Sequence, residues 1–393
     1  MADLVRRFRV HAPDSDLDDL RQRLSATRHL SQDPELGWDA GVPTPYLREL
    51  LDYWRMEFDW RAVEDRINSF ANFRVETGGA GLHCVRLRGS GPRPIPIVLV
   101  HGWPGSFVEM LDLATLLAAP KVDGGDEADS FDVVIPSLTG FGYSDAARTS
   151  PWGSPQEAAA IGGLMRALGY ERFGIHTYDI GASIMTALCL ADPRRIIGYH
   201  TTEPGIPGPH PGPGLASMTR EERAYRDVVR AWEADEGGYF ALLRTRPRTL
   251  GHALNDSPAG LAAWLVEKWW AWTVPPGSGK SLHEFLSMDQ VLANIALYWH
   301  TQTIDSANMT YYGPRRRRVP GEQAQVPVGV ALTAQPIERA PRATAERFFP
   351  DIRRWVDLGQ AGHFVTMERP GLLATAIRDF FRPLRTESSS RHE

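Results

Sequence analysis

The chain has 393 residues, of which 42% are hydrophobic and 23% charged, the balance of a globular protein with a core plus additions. Its net charge of −5 gives no reason to expect nucleic acid or an anionic membrane as a partner. The two cysteines, Cys84 and Cys189, lack the neighbours of a metal site, and a reduced, cytoplasmic chain is expected rather than a disulfide-built one. The opening stretch MADLVRRFRVHAPDSDLDDL holds no apolar segment of a signal peptide. No apolar run approaches the ~18–20 residues of a membrane span. All but three of the 43 basic residues are arginines, which reads as a GC-rich bacterial genome.

Residues 1–90 form a prologue. DSDLDDLRQRLSAT opens with capping-type residues and carries Leu17, Leu20 and Leu24 at helical spacing. PTPYLRELLDYWRMEF is a second amphipathic helix, and FRVETGGAGLHCVRLRG reads as a hairpin turning at Gly78-Gly79. From 91 to 213 a strand–helix alternation follows. PIPIVLVHGWPGS, FDVVIPSLTGFGYSD, FGIHTYDIGAS and RIIGYHTTEPG are the strands with their loops. Between them lie the helices FVEMLDLATLLAA and SPQEAAAIGGLMRALGY, with Ser154 as N-cap. This rhythm predicts an α/β fold with a mostly parallel sheet covered on both faces. A Pro/Gly-rich hinge, PGIPGPHPGPG, ends it. Residues 214–318 are helical and aromatic, as in GLAAWLVEKWWAWT and MDQVLANIALYWHTQT, and read as a cap over the carboxyl edge of the sheet, where such sheets bind ligands. The run RRRR (315–318) reads as a solvated loop in the returning linker. The core resumes over 319–385 with VPVGVALTA, IRRWVDLGQAGHF and the helix PGLLATAIRDFF, and 386–393 reads as a disordered tail.

Within GIHTYDIGAS, Asp179 stands between a strand and a helix, the outline of a nucleophile elbow. A carboxylate there can displace oxygen from an sp³ carbon and form an alkyl-enzyme ester, whose carbonyl water then attacks. An Asp in such a turn also suits a plain helix cap, and its place in the chain order is what favours the nucleophile. HGWPGS follows the first core strand. The backbone N–H groups of Trp103 and Ile180 are the expected oxyanion donors, with Pro104 shaping the turn and His101 structural. His363, in GQAGHFVTMERP, comes after the last strand. Nucleophile first and histidine last is the order of the α/β-hydrolases, and a neutral imidazole there can deprotonate water.

These segments, together with GWDAGVPTPYLRELLDYWR…FDWRA, RTRPRTLGHALNDSPAGLAAWLVEKWWAWT and IPSLTGFGYSD, resemble the epoxide hydrolases of the α/β-hydrolase superfamily over nearly the whole chain. The branch is the one with an extra N-terminal region, which includes the microsomal and juvenile-hormone enzymes. The resemblance implies an α/β-hydrolase core with a helical cap and N-terminal extension. It also implies no cofactor and no metal, and an apolar epoxide and water as reactants. Two cap tyrosines that hold the epoxide oxygen are implied as well. Tyr239 matches the first and Tyr311 is preferred for the second, with Tyr312 adjacent.

The acid expected behind His363 falls where Thr333-Ala334-Gln335-Pro336-Ile337 puts a proline. Glu203, after the strand that follows the elbow helix, is favoured over Glu338, because a triad needs geometry rather than a fixed chain position. Relatives have Gly-Gly-Asp-Trp-Gly at the elbow. Here Tyr178 and Ile180 flank Asp179, which suggests a reshaped pocket with Tyr178 and Pro104 in its wall, and a tailoring role in bacterial natural-product biosynthesis. Two other activities fit the Asp nucleophile. A haloalkane dehalogenase is disfavoured by Ile180 in place of a halide-binding indole. A non-hydrolytic member would follow if no acid supported His363. A homodimer is compatible with the sequence.

Overall fold

The structure is a computed structural model, and it describes residues 5–31, 36–147, 152–204, 218–313 and 322–389. The RRRR run and all but the first residue of the Pro/Gly hinge lie outside the described residues.

Nine strands form one sheet in the order β1-β2-β3-β5-β4-β6-β7-β8-β9. They are β1 (Val5–Arg7), β2 (Ala71–Thr77), β3 (Ala80–Leu87), β4 (Ile95–Val100), β5 (Phe131–Pro136), β6 (Phe173–Thr177), β7 (Ile196–Thr201), β8 (Val328–Leu332) and β9 (Ile352–Asp357). The six strands from β5 to β9 in that order are parallel. The first three are antiparallel at one edge. β4 and β8 are continuous apolar runs, and β5 is broken only by Asp132, because helices cover both of their faces. The Gly78-Gly79 hairpin is part of this sheet rather than separate from it: β3 pairs with β5. Both turn glycines have positive φ.

The helices are α1 (Asp14–Ser25), α2 (Thr44–Met56), α3 (Trp60–Asn68), α4 (Leu111–Ala118), α5 (Ser154–Ala167), α6 (Asp179–Ala191), α7 (Arg220–Asp235), α8 (Gly238–Thr245), α9 (Pro247–Asp256), α10 (Pro258–Thr273), α11 (Met288–Thr301), α12 (Ile304–Tyr312), α13 (Arg342–Glu346), α14 (Val365–Glu368) and α15 (Pro370–Ser389). Ser154 is the first helical residue of α5 and Gly153 holds the N-cap position, one residue earlier than the sequence suggests. The tail expected from 386 is helical to Ser389, and 390–393 lie outside the described residues.

The helices α7–α12 stand over the carboxyl ends of the parallel strands, held by hydrogen bonds to the core loops. Trp103 Nε1 donates to Asn308 Oδ1 (3.1 Å), Tyr298 Oη to the Gly105 carbonyl (2.8 Å) and Ser306 Oγ to the Gly140 carbonyl (2.6 Å). The N-terminal segment grips the same helices from outside. Trp38 stacks on Trp270 with centroids 4.6 Å apart, and Tyr53 Oη donates to Asp289 Oδ1 (2.9 Å). The cap is therefore pinned from two sides, which fixes the roof over the elbow. No helix among the described residues is long and apolar enough to cross a membrane.

Candidate active site

Asp179 is the first residue of α6 and has φ +52°, the strained backbone of an elbow that lifts one side chain above the sheet. Two glycines make room for it. A Cβ on Gly181 would lie 2.4 Å from Thr177 Oγ1 and 2.9 Å from the His101 carbonyl oxygen. A Cβ on Gly102 would lie 2.4 Å from the Asp179 Cβ. The loop after β4 thus passes against the elbow, and Trp103 N–H donates to Asp179 Oδ1 at 2.8 Å. Burial raises the Asp179 pKa. The His363 charge and the backbone N–H groups of Ile180 and Trp103 counter that rise. Both expected oxyanion donors therefore act on this carboxylate.

The other oxygen, Oδ2, lies 3.8 Å from His363 Nε2. His363 sits in the loop after β9, where its N–H donates to the Trp272 carbonyl (2.9 Å). Glu368 holds the same loop, its carboxylate accepting from Gly362 N–H (2.7 Å) and Phe364 N–H (3.1 Å).

Nδ1 of His363 is hydrogen-bonded to Glu338 Oε1, and this corrects the preference for Glu203 as the supporting acid. The reason lies in a single turn. Pro336 starts the 3₁₀ turn Pro336–Glu338, which brings its third residue back to the end of β8. There Glu338 is 3% exposed, and its Oε2 accepts from the Thr333 hydroxyl at the end of β8. The β8 loop is tied to the histidine loop by Ala334 N–H donating to the Ala361 carbonyl (2.7 Å). Counting from Pro336 as the start of a turn, rather than as the acid's own position, is the signal that finds Glu338.

Glu203 is close by but occupied differently: its Oε1 accepts the Asp179 N–H at 2.7 Å. Asp179, Glu203 and His363 each place one carboxylate oxygen or ring nitrogen within 4.8 Å of the others.

Burial alone would lower the His363 pKa. The Glu338 carboxylate, with Asp179 and Glu203 behind it, pushes it up instead, to about 10. Burial, then the charges of Glu338 and Asp179, hold Glu203 well above the usual carboxylate range. His101 is structural as expected. Its ring nitrogens meet the Gly102 carbonyl (2.9 Å) and the Leu138 N–H (3.2 Å), and burial lowers its pKa to about 4.

Above the elbow a cavity of about 520 Å³ is lined by Asp179, Glu203, Glu338, His363, Ile180, Tyr239 and Tyr311, among others. Trp103 stacks on Tyr239 (5.2 Å) and meets Tyr311 edge-on (5.6 Å), so one indole sets both phenols. Tyr311 is 3% exposed and faces this cluster, whereas Tyr312 is 57% exposed. Trp272, at the end of α10, also lines the cavity and was not expected from sequence. Tyr178 and Pro104 do not line it, contrary to expectation. Tyr178 is turned behind His363, its ring edge-on to the imidazole at 5.1 Å and its hydroxyl bonded to Glu109. Burial raises the Glu109 pKa to about 8. Pro104 is buried within its own loop. With Oδ1 in backbone donors and Oδ2 open to the cavity, the arrangement suits attack on carbon followed by hydrolysis of the resulting ester.

Comparison with known proteins gives the family. Residues 5–110 match the family described as "Epoxide hydrolase N terminus", and residues 95–229 match the "alpha/beta hydrolase fold". The chain is similar to a protein of Stigmatella aurantiaca provisionally named an epoxide hydrolase, at 38% identity over 97% of this chain and 85% of that protein. It is similar to epoxide hydrolase 1 of Oryctolagus cuniculus at 30% identity, covering 96% and 88%. Its fold matches the crystal structure of juvenile hormone epoxide hydrolase from the silkworm Bombyx mori, with a TM-score of 0.84, 26% identity and coverage of 97% and 94%. On this evidence of sequence and fold together, the chain belongs to the epoxide hydrolases, built on the α/β-hydrolase fold.

Proposed function

We propose that the protein opens an epoxide with an apolar body to a vicinal diol through an ester on Asp179. Asp179 Oδ2 attacks a ring carbon in line with the breaking C–O bond. Tyr239 and Tyr311 hydrogen-bond the ring oxygen and protonate it as it departs. The imidazolium of His363 restores the phenol proton, which leaves Nε2 free to take a proton from water. That water attacks the ester carbonyl, whose oxyanion is held by Trp103 and Ile180 N–H. As the ester oxygen leaves, it carries off the remaining water hydrogen. Two water hydrogens and one oxygen are thereby accounted for, and His363 ends protonated, as it began. Glu338 holds the imidazole in position and supports its charge.

The carrying observation is the elbow itself: Asp179 has one oxygen on a backbone donor and the other 3.8 Å from His363 Nε2, beneath two cap phenols. The aromatic walls and a volume of about 520 Å³ suit an aryl or alkyl epoxide of modest size. A stalled, non-hydrolytic reading depended on a histidine without an acid, and Glu338 on Nδ1 supports full turnover instead. We also infer a cytoplasmic location, which the two buried, unbridged cysteines suit.

The test is rapid acid quench of the enzyme with styrene oxide, followed by peptide mass spectrometry. A transient adduct on the Asp179 peptide, and no diol from Asp179→Asn, is the expected pair of results. Diol production by Asp179→Asn at the unmodified rate overturns the assignment.

A further inference from the structure

With Glu338 on Nδ1 of His363, the active centre holds a carboxyl group for which this mechanism has no use. Glu203 is 5% exposed, lines the cavity and sits two residues past β7. Its backbone is set by its own N–H donating to Thr201 Oγ1 at 3.0 Å, and its Oε1 is engaged by the Asp179 N–H at 2.7 Å. Placing three carboxyl groups around one imidazole is costly unless one is neutral or shares a proton. Such an arrangement needs a reason beyond packing.

Geometry supplies one. An oxygen of Asp179, an oxygen of Glu203 and a ring nitrogen of His363 lie within 4.8 Å of one another. No two of these atoms are more than 4.8 Å apart, and Asp179 Oδ2 and His363 Nε2 are 3.8 Å apart, so a position about 2.8 Å from all three exists, the ordinary hydrogen-bond distance to a single water. The cradle opens on the same cavity that admits the epoxide.

We propose that Glu203 is a further catalytic carboxyl, which together with His363 holds the water that hydrolyses the Asp179 ester. This rests on the ester mechanism above. The water gives one proton to His363 Nε2 as its oxygen bonds to Asp179 Cγ. Its second hydrogen is held by Glu203 until the Cγ–O bond to the substrate breaks, and then passes to the leaving oxygen. Glu203 ends the step as it began. When Asp179 is alkylated its charge disappears, so one of the two nearby carboxylates that disfavour ionisation of Glu203 is removed when the water must be held.

Glu203→Gln separates this role from a structural one. The amide oxygen still accepts the Asp179 N–H, so the elbow keeps its support, while the second oxygen becomes an N–H₂ donor that cannot accept from water. Single-turnover quench with styrene oxide then measures ester formation and ester decay separately. The expected result is ester formation within about twofold of wild type and decay slowed at least roughly tenfold, with the adduct accumulating on Asp179. Decay at the wild-type rate overturns the proposal. So does an equal loss in both steps, which is what an elbow prop alone would produce. Should Glu203→Gln fail to fold, Glu203→Asp, which withdraws the carboxyl from the cradle, is read by the same pair of rates. If wild type itself shows no adduct on Asp179, it is the ester mechanism that fails, before Glu203 enters the question.

Discussion

Glu338→Gln is the sharpest probe of the support behind the catalytic histidine. The amide keeps the size of the side chain and removes its charge. Burial works against the His363 imidazolium, yet its pKa stands at about 10 against an ordinary 6.5, and Glu338 is the largest favourable influence. At ~1.4 kcal/mol per unit, a rise of that size is on the order of 4–5 kcal/mol of imidazolium stabilisation. Breaking a buried pair by removing one partner costs about as much, ~3–5 kcal/mol. A raised folded-state pKa contributes stability that is complete below about pH 6.5 and is lost as pH rises through about 10. The variant is therefore expected to unfold at lower denaturant than wild type at pH 7, with the gap closing towards pH 10. In catalysis, ring opening by Asp179 and the two tyrosines is expected to persist. Ester decay, which needs a positioned and stabilised imidazolium, is expected to slow by roughly 10²–10⁴-fold. Denaturant titration at both pH values and rapid-quench mass spectrometry measure these effects. Ester decay within a few-fold of wild type, or a stability gap that widens with pH, would mean that Glu338 does not support the imidazolium.

Tyr239→Phe and Tyr311→Phe are each expected to slow ring opening by roughly 10²-fold, as for loss of one preorganised donor. Tyr312→Phe, at a 57% exposed position, is expected to leave the rate unchanged, and stopped-flow tryptophan fluorescence separates the three. NMR titration of His363 is expected to give an imidazolium still protonated at pH 8 in wild type. Asp179→Asn should lower its midpoint, because the Asp179 charge is one of the influences that raise it. An unchanged midpoint contradicts the charge coupling. Gly102→Ala places a methyl group 2.4 Å from the Asp179 Cβ and is expected to abolish ester formation even where the protein folds, as circular dichroism can check.

The order of elements was legible because most of the parallel strands are short, largely apolar runs and the helices between them carry helical periodicity, so period and length separate them. The elbow was legible because Asp179, His363 and the glycines fall at fixed places in that order. The supporting acid was not. Glu203 and Glu338 both follow strands that end beneath the same imidazole, and the choice depends on which way one turn bends. Pro336 decides it by starting a 3₁₀ turn that brings Glu338 to Nδ1. Tyr178 was misplaced for a related reason. A residue next to an elbow nucleophile points either into the cavity or behind it, and the buried Glu109 draws this one behind. The entry of β1 and the hairpin into the main sheet depends on non-local pairing, which local pattern does not encode.

In the proposed reaction water attacks an ester carbonyl on Asp179 and never the epoxide itself. A single turnover in water carrying a heavy oxygen isotope, with enzyme in excess over styrene oxide, tests it most directly. An unlabelled diol and heavy oxygen in the peptide that contains Asp179 are the expected result. A labelled diol with an unlabelled peptide would contradict it.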